Sequence, residues 1–219
     1  MSLYETDPIN VIIAGTGGQG NILISKLLGD AMLEEDHWVT IGETYGASQR
    51  GGSVASHVRI SGEAPCSPIT PRGAAHLVLG LEPVEALRVL ALYGGPGTYV
   101  VTNVRPVHPM AVAIGEAAYP TLEAIKQTIG ELSRKAMYLD ASQIGINLGA
   151  PLLANMVMMG ALVGCGFIPL ERERLERQLE ALFQTEKLAL NLKAFRLGLA
   201  EIEKAYGRVH FKSRKGGNR

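Results

Sequence analysis

Ile9-Asn-Val-Ile-Ile-Ala-Gly15-Thr-Gly17-Gly18-Gln19-Gly20-Asn21-Ile-Leu-Ile-Ser-Lys-Leu-Leu28 is the stretch whose reading decides the fold. Ile9 to Ala14 is short, almost wholly apolar and rich in β-branched residues, the pattern of a parallel strand buried on both faces. The glycines after it permit a tight turn. From Ile22 to Leu33 the residues Ile24, Leu27, Leu28, Ala31 and Met32 recur at spacings of three and four, which predicts a helix packed along one face on a sheet. The turn therefore sets several backbone N–H groups at a helix N-terminus, where partial positive charge collects and an anion can be held.

Gly15, Gly17 and Gly20 also satisfy the G-x-G-x-x-G spacing of dinucleotide sites, with Glu43 about 20 residues further on after a second strand. Two features count against that reading. No crossover helix follows Glu43, because Thr44 to Ser53 is too rich in glycine and polar residues for a helix interior. Gly18 and Gln19 are not demanded by the dinucleotide pattern either. A nucleotide site and a purely structural tight turn both remain open on the pattern alone. The second glycine-rich segment holds Ser48, Gln49 and Arg50 between Gly46 and the pair Gly51 and Gly52. Glycines let a backbone approach another body closely, and a guanidinium grips a carboxylate or phosphate in bidentate fashion. The bland alternative is a surface arginine in an ordinary loop.

Wider composition narrows the field. The chain has 219 residues, 21 Lys+Arg and 21 Asp+Glu, for a formal net charge of zero. That balance argues against a general nucleic-acid binder. The length suits one α/β domain over 1–219, divided into an α/β core over 1–150, C-terminal helices over 151–207 and a basic tail over 208–219. Two cysteines, Cys66 and Cys165, cannot supply the four thiolates that an iron–sulfur cluster usually takes. The five histidines show no metal-ligand spacing, and none is assigned to a metal. The N-terminus lacks a basic region followed by an apolar core, and no apolar run is long enough to span a membrane, so a cytoplasmic location with reduced thiols is expected.

Along the rest of the chain, strands are predicted at Trp38–Ile41, Ser53–Ile60, Ala74–Leu79, Thr98–Thr102 and Ala136–Leu139. At the end of Ser53–Ile60, Val58 and Ile60 alternate with His57 and Arg59, the pattern of a half-exposed strand. Helices are predicted from Glu82 to Leu92, with Pro83 in its first turn, and from Tyr119 to Leu132, capped by Thr121. Asn103 stands just past a strand end, where ligands gather in open α/β sheets. From Pro151 the chain turns helical. Leu152 to Val163 is apolar nearly all round, fit for the core or a subunit contact. Leu175, Leu179 and Leu182 mark a further helix, and Leu188, Leu192, Phe195, Leu199 and Ile202 a longer one. The alternation predicts an α/β fold: three-layer α/β/α, with a mostly parallel central sheet and a helical C-terminal extension.

Gly15-Thr-Gly-Gly-Gln-Gly20 and Gly42-Glu-Thr-Tyr-Gly-Ala-Ser-Gln-Arg-Gly-Gly-Ser53 together resemble the gamma subunit, or gamma domain, of the 2-oxoacid:ferredoxin oxidoreductases, and most of all the beta subunit of the indolepyruvate enzymes. Ser56-His-Val-Arg-Ile60, Leu81-Glu-Pro-Val-Glu-Ala-Leu87, Asp140-Ala141 and Asn191-x-x-x-Phe195 fall in the same order, so the resemblance runs over nearly the whole chain. It implies a three-layer α/β/α domain within an enzyme that oxidatively decarboxylates a 2-oxo acid to an acyl-CoA, passing two electrons through iron–sulfur clusters to ferredoxin. No Gly-Asp-Gly segment followed by asparagine occurs here, so the resemblance places thiamine diphosphate, magnesium and the four-iron–four-sulfur clusters on thiamine-binding and ferredoxin-type partner subunits. This chain is then expected to be inactive alone, to work in a homo- or hetero-oligomer, and to need neither nucleic acid nor membrane. What it could itself contribute is part of a coenzyme A site, drawn from Gly15, Gly17, Gly18, Gln19, Gly20, Ser48, Gln49 and Arg50. Where the relatives commonly carry histidine before Gly46, this chain has Tyr45, which leaves its 2-oxo acid open. The reading from another class is an independent Rossmann-like NAD(P)-binding protein.

Overall fold

The computed structural model describes residues 6–46, 52–168 and 170–208. Its elements run β1 (Ile9–Thr16), α1 (Asn21–Leu33), β2 (Trp38–Tyr45), β3 (Ser53–Ser61), β4 (Leu77–Gly80), α2 (Pro83–Tyr93), β5 (Tyr99–Asn103), α3 (Met110–Ala113), α4 (Leu122–Leu132), β6 (Lys135–Leu139), α5 (Ala141–Asn147), α6 (Ala154–Gly164), α7 (Arg172–Leu182) and α8 (Thr185–Tyr206). The strands form a sheet of order β2-β3-β1-β4-β5-β6. β1, β4, β5 and β6 pair in parallel, whereas β3 runs antiparallel to both of its neighbours, β1 and β2. The reversal follows from the connection before it: residues 46–52 are too few for a crossover helix, so the chain must return antiparallel.

β1 is buried along its whole length. Ile9, Val11 and Ile13 pack with α1, α6, α7 and α8 on one face, while Ile12 and Ala14 pack with α2 and α4 on the other. The result is the three-layer α/β/α arrangement that strand–helix alternation predicts.

One expectation fails. His57 and Arg59 do not face solvent: both are buried, because the proline-bearing connection between β3 and β4 folds over their face of the sheet. A buried guanidinium must have its donors satisfied. Arg59 gives Nε to Asn10 Oδ1 at 2.9 Å and Nη1 to the Ser67 carbonyl at 2.8 Å and hydroxyl at 2.7 Å. The arginine thus fastens the connection to the sheet, and the polar face of β3 is matched by a polar cover rather than by water.

The apolar helix predicted over Leu152–Val163 is α6, and it lies in the core against α8. A Cβ built on Gly160 would stand 1.9 Å from the Phe195 carbonyl oxygen, and one on Gly198 1.8 Å from that of Val157. The two backbones therefore touch, and no side chain fits between them. Gly198→Ala should lower the unfolding free energy by at least about 1–3 kcal/mol, the usual cost of overpacking. Gly130, an exposed position within α4 where a Cβ would meet nothing within 4 Å, supplies the contrast. Gly130→Ala should stabilise by about 0.5–1 kcal/mol in the same denaturant titration.

Two imidazoles, His57 buried and His76 half-buried, make stability depend on pH. Asn10 N donates to His76 Nδ1 at 3.0 Å, and Thr70 N donates to His57 Nδ1 at 3.4 Å, so each ring is neutral at the nitrogen that accepts. Burial lowers the pKa of both, and the Arg59 charge lowers that of His57 further. The unfolded chain then takes up these protons near the ordinary value of about 6.5, before the folded chain does. Their contribution is complete above that pH and is lost as pH falls through it towards the lowered folded values. Unfolding free energies measured from pH 8 to pH 5 should decline below about pH 6.5, and the His57→Asn, His76→Asn double variant should flatten that decline.

Candidate functional site: two clefts astride the glycine turn

β1 ends at Thr16, and the chain turns through Gly17, Gly18, Gln19 and Gly20 into α1. Gly18 and Gly20 take φ values of +95° and +94°, left-handed conformations that favour glycine. Gly20 is the N-cap of α1 and supplies no side-chain acceptor to the helix's first amides. Those N–H groups keep their capacity for an external acceptor.

Several of the residues singled out in sequence hold the turn together. Gly17 N donates to the Gly52 carbonyl at 2.9 Å, joining the first glycine-rich segment to the end of the second. Gln19 folds back: its Oε1 accepts from Thr16 N at 2.7 Å, and its Nε2 donates to the Leu81 carbonyl at 3.2 Å. Gly15 lies within β1, opposite Val54 of β3. Ser48, Gln49 and Arg50 fall outside the described residues, but Gly46 and Gly52, on either side of them, do not.

Thr16, Gly17, Gly18, Gly20, Asn21 and Ile22 face Tyr45, Gly46, Gly52, Ser53 and Val54 across a first cleft of about 370 Å³. It opens at the carboxyl end of β1, which is where ligands gather in open α/β sheets. Its described lining carries no cation. Tyr45, 63% exposed at its rim, donates its hydroxyl to Glu43, which raises the phenol's pKa. A second cleft of about 260 Å³ lies on the other side of Gly18, lined by Gly18, Gln19, Leu81, Asn103, Val107 and Ser142, with Pro151, Leu152, Ala154, Asn155 and Met158 from the approach to α6 and its first turns.

Side chains that sequence reasoning passed over, or ranked low, fix this end of the sheet. Asn21 Nδ2 bridges the Ile13 and Val54 carbonyls at 3.1 and 3.2 Å. Asn103 gives Nδ2 to the Leu81 carbonyl at 3.1 Å and to Ser142 Oγ at 2.9 Å, tying β4 and β5 to α5 rather than bonding within its own turn. Glu82 is 1% exposed. It caps α2 through Glu85 N at 2.8 Å, and it accepts from Val107 N at 3.4 Å and from the Tyr119 hydroxyl. Burial raises its pKa, while those donors oppose the rise. The carboxyl thereby clamps the 104–119 segment, which carries α3 and one wall of the second cleft. Glu85 in turn accepts from Ser53 Oγ at 2.6 Å, so the Leu81 to Leu87 motif braces both clefts. A cap residue before Pro83 was the available signal for Glu82; nothing local pointed to Tyr119.

A dinucleotide site would need the acidic residue on the strand beside β1. Here β3 intervenes and β2 is the sheet edge, which moves Glu43 two strands, roughly 10 Å, from β1. Among the described residues no group of three or more His, Cys, Asp or Glu side chains could hold a metal ion. Cys66 belongs to the connection over one face of the sheet, whereas Cys165 is buried in the core on the other, its thiol pushed up to about 11 mainly by burial.

Comparison with known proteins gives the family and the fold. The family model for pyruvate ferredoxin/flavodoxin oxidoreductase matches residues 10–201, and the chain belongs to that family. It is a subunit of a 2-oxoacid:ferredoxin oxidoreductase, similar to the indolepyruvate oxidoreductase subunit IorB of Thermococcus kodakarensis: 37% identical over 199 residues, covering 90% of this chain and 98% of the relative. Its fold matches the keto/oxoacid ferredoxin oxidoreductase gamma subunit of Geobacter sulfurreducens, with a TM-score of 0.64, 20% identity and coverage of 90% and 99% of the two chains. It also matches part of the 2-oxoglutarate:ferredoxin oxidoreductase of Magnetococcus marinus, solved with 2-oxoglutarate, coenzyme A and succinyl-CoA bound: TM-score 0.71, 22% identity, 95% of this chain and 34% of that one.

Removing the Tyr119 hydroxyl tests the clamp. Tyr119→Phe leaves the buried Glu82 carboxyl short of a donor and should cost about 1–3 kcal/mol of stability. Hydrogen exchange should quicken over residues 104–119 and stay unchanged in β1.

Proposed function

We propose that this chain is the gamma-type subunit of an enzyme that oxidatively decarboxylates an aryl 2-oxo acid of the indolepyruvate kind to its acyl-CoA. On this reading the chain's own share is to hold part of coenzyme A in the first cleft. The observation that carries it is the α1 N-terminus, uncapped by any side chain and facing the ends of the second glycine-rich segment across that cleft. The amides of the first turn supply about half a positive charge, and Arg50, from the segment between Gly46 and Gly52, supplies a whole one for a phosphate. The name of the Thermococcus relative supports the substrate class. The coenzyme A in the Magnetococcus structure supports the ligand.

Thiamine diphosphate, magnesium and the clusters belong to partner subunits on this reading, since two thiols on opposite sides of a sheet cannot ligate one cluster. Thiamine diphosphate stabilises the carbanion left by decarboxylation, and the clusters carry its electrons away. Exposed apolar side chains such as Met110, Leu152, Ile22 and Leu182 give partner chains something to cover.

The purified chain should be colourless and inactive, gaining activity only with thiamine-binding and ferredoxin-type partners. In the assembled enzyme, Arg50→Ala should weaken coenzyme A by about 1.5–3 kcal/mol, the worth of a charge-assisted hydrogen bond, with the 2-oxo acid KM little changed. Loss of assembly with unaltered coenzyme A affinity in the surviving complex would show instead that Arg50 pairs across a subunit contact.

A further inference from the structure

The two edges of the sheet are finished differently. At β6 the last turn of α8 closes the edge. The Tyr206 hydroxyl accepts from Tyr138 N at 3.0 Å and donates to the Tyr138 carbonyl at 3.3 Å, while Lys135 Nζ donates to the Tyr206 carbonyl at 3.2 Å. Another strand cannot reach those main-chain groups without displacing α8. At β2 the edge stands open. Gly46 N donates to the Ser53 carbonyl at 2.7 Å, and the pairing with β3 runs in unbroken register from Tyr45 opposite Val54 to Trp38 opposite Ser61. Main-chain groups alternate sides along a strand, so Thr40, Gly42 and Thr44 bond to β3 while Val39, Ile41, Glu43 and Tyr45 turn their N–H and C=O outward. Among the described residues these outward groups have no hydrogen-bond partner.

Soluble proteins blunt such an edge with lysine, proline, a bulge or a covering element. Trp38-Val-Thr-Ile-Gly-Glu-Thr-Tyr45 contains neither lysine nor proline, and its register has no bulge. Trp38, Ile41 and Tyr45 are exposed along it. The edge is also complementary to itself. Antiparallel pairing with a second copy about a two-fold axis at Gly42 lets every outward residue exchange bonds, Val39 with Tyr45 and Ile41 with Glu43. Between those pairs Thr40 meets Thr44, Trp38 meets Gly46, and Gly42 meets its own counterpart. Glu43, the strand's one carboxylate, then stands opposite Ile41. An axis at Glu43 would set two carboxylates face to face, and an axis at Ile41 would leave Tyr45 beyond the end of the other strand.

The area suffices for a specific contact. The strand has eight residues, so at about 3.4 Å each it is about 27 Å long. One face carries α1, where a Cβ on Gly29 would stand 2.9 Å from Ile41 Cδ1, and the other carries the connection, where a Cβ on Gly42 would stand 2.7 Å from the Pro68 carbonyl oxygen. With each layer about 10 Å deep the contact covers roughly 1,100 Å² over both copies, which clears the ~1,000 Å² that a specific interface needs.

We infer that this chain pairs with a second copy of itself through β2, joining two six-stranded sheets into one across a two-fold axis at Gly42. The sealed β6 edge closes the assembly at two, since neither end of the joined sheet offers free main-chain groups to a third copy. Trp38 of each copy lies opposite Gly46 of the other, and Gly46 lines the first cleft, so each copy adds an indole beside the other's cleft.

Glu43→Pro removes an outward N–H that in a single copy bonds only to solvent, so the ladder to β3 stays whole. Sedimentation of the full chain over a wide concentration range should show a dimer, and the variant should dissociate about tenfold more readily or worse, with its circular dichroism unchanged. The register is read by Thr40→Cys with Thr44→Cys, in a Cys66→Ser background that removes the half-exposed native thiol. These positions form a close, non-hydrogen-bonded pair across the axis, which a disulfide spans. Mild oxidation should give a covalent dimer from the double variant and none from either cysteine alone, in the lone chain and in the assembled enzyme alike. A monomer at every concentration, a dimer indifferent to Glu43→Pro, or no cross-link from the double variant overturns the inference. A cross-link formed by the lone chain but lost in the assembled enzyme overturns it as well, because the edge then takes a partner subunit's strand. Should Glu43→Pro not fold, the cysteine pair decides.

Discussion

The contact between the α6 and α8 backbones is the constraint from which the rest of the arrangement follows. Gly160 and Gly198 allow the two helices to meet with no side chain between them, so α6 sits deeper over the sheet than a helix bearing ordinary residues there could. Its side chains pack with Ile9, Val11 and Ile13 of β1 on one face of the sheet. Depth at the middle of α6 dictates position at its start. Asn155, in the first turn, is driven against the glycine turn, where only a residue without Cβ leaves room for its amide. The absence of a Cβ at Gly20 thus serves helix packing and site geometry together, and the same turn cannot be altered for one without disturbing the other.

Polar groups around the two clefts divide into those that hold the fold and those left over, and the division is sharp. Gln19, Asn21 and Asn103 cross-link β1, β3, β5 and the end of β4 by bonds to main-chain carbonyls, and Asn103 reaches α5 through the Ser142 hydroxyl and N–H, which is why the carboxyl end of the sheet stays fixed although three turns leave it. An unmade bond in such a place costs about 1–3 kcal/mol, so each amide satisfied this way lends local rigidity. Among the described residues, groups left over include the first amides of α1 in one cleft and the Asn155 amide nitrogen and Ser142 hydroxyl in the other. Glu43, at the rim of the first cleft through Tyr45, works against an anion. On the coenzyme A reading, the unit of charge for the phosphates is assigned to Arg50, since the described lining of the first cleft carries no cation.

Local signals in the sequence carried as far as local causes reach. β1 and α1 were legible because burial on both faces and a one-sided helix leave periods of their own, and Pro83 and Thr121 marked helix starts found at α2 and α4. The burial of His57 and Arg59 was not, because alternation reports that one face of β3 is polar and says nothing of a later segment with its own polar groups folding over it. α5 was missed for its brevity. The Glu82 clamp joins residues far apart in sequence, so only the fold could reveal it. Asn155 did leave a trace, a lone carboxamide in an otherwise apolar helix, but a buried amide with no stated neighbour has no direction, and direction is what gives it a role.

The antiparallel strand explains why a turn with dinucleotide spacing reads differently here. In a doubly wound sheet the glycine turn and the acidic residue belong to adjacent parallel strands, and together they measure one nucleoside. Insertion of β3 beside β1 keeps the turn and the helix amides but puts a strand's width between them and Glu43. The same insertion sets Gly46, Gly52 and Ser53 beside the turn, with Gly17 N bonded to the Gly52 carbonyl, so these residues bound the face that would meet a ribose. The turn and its uncapped helix N-terminus survive without the neighbouring acidic residue of the dinucleotide pattern. On the far side of Gly18 the described residues set the amides of Gln19, Asn103 and Asn155 and the Ser142 hydroxyl among apolar walls.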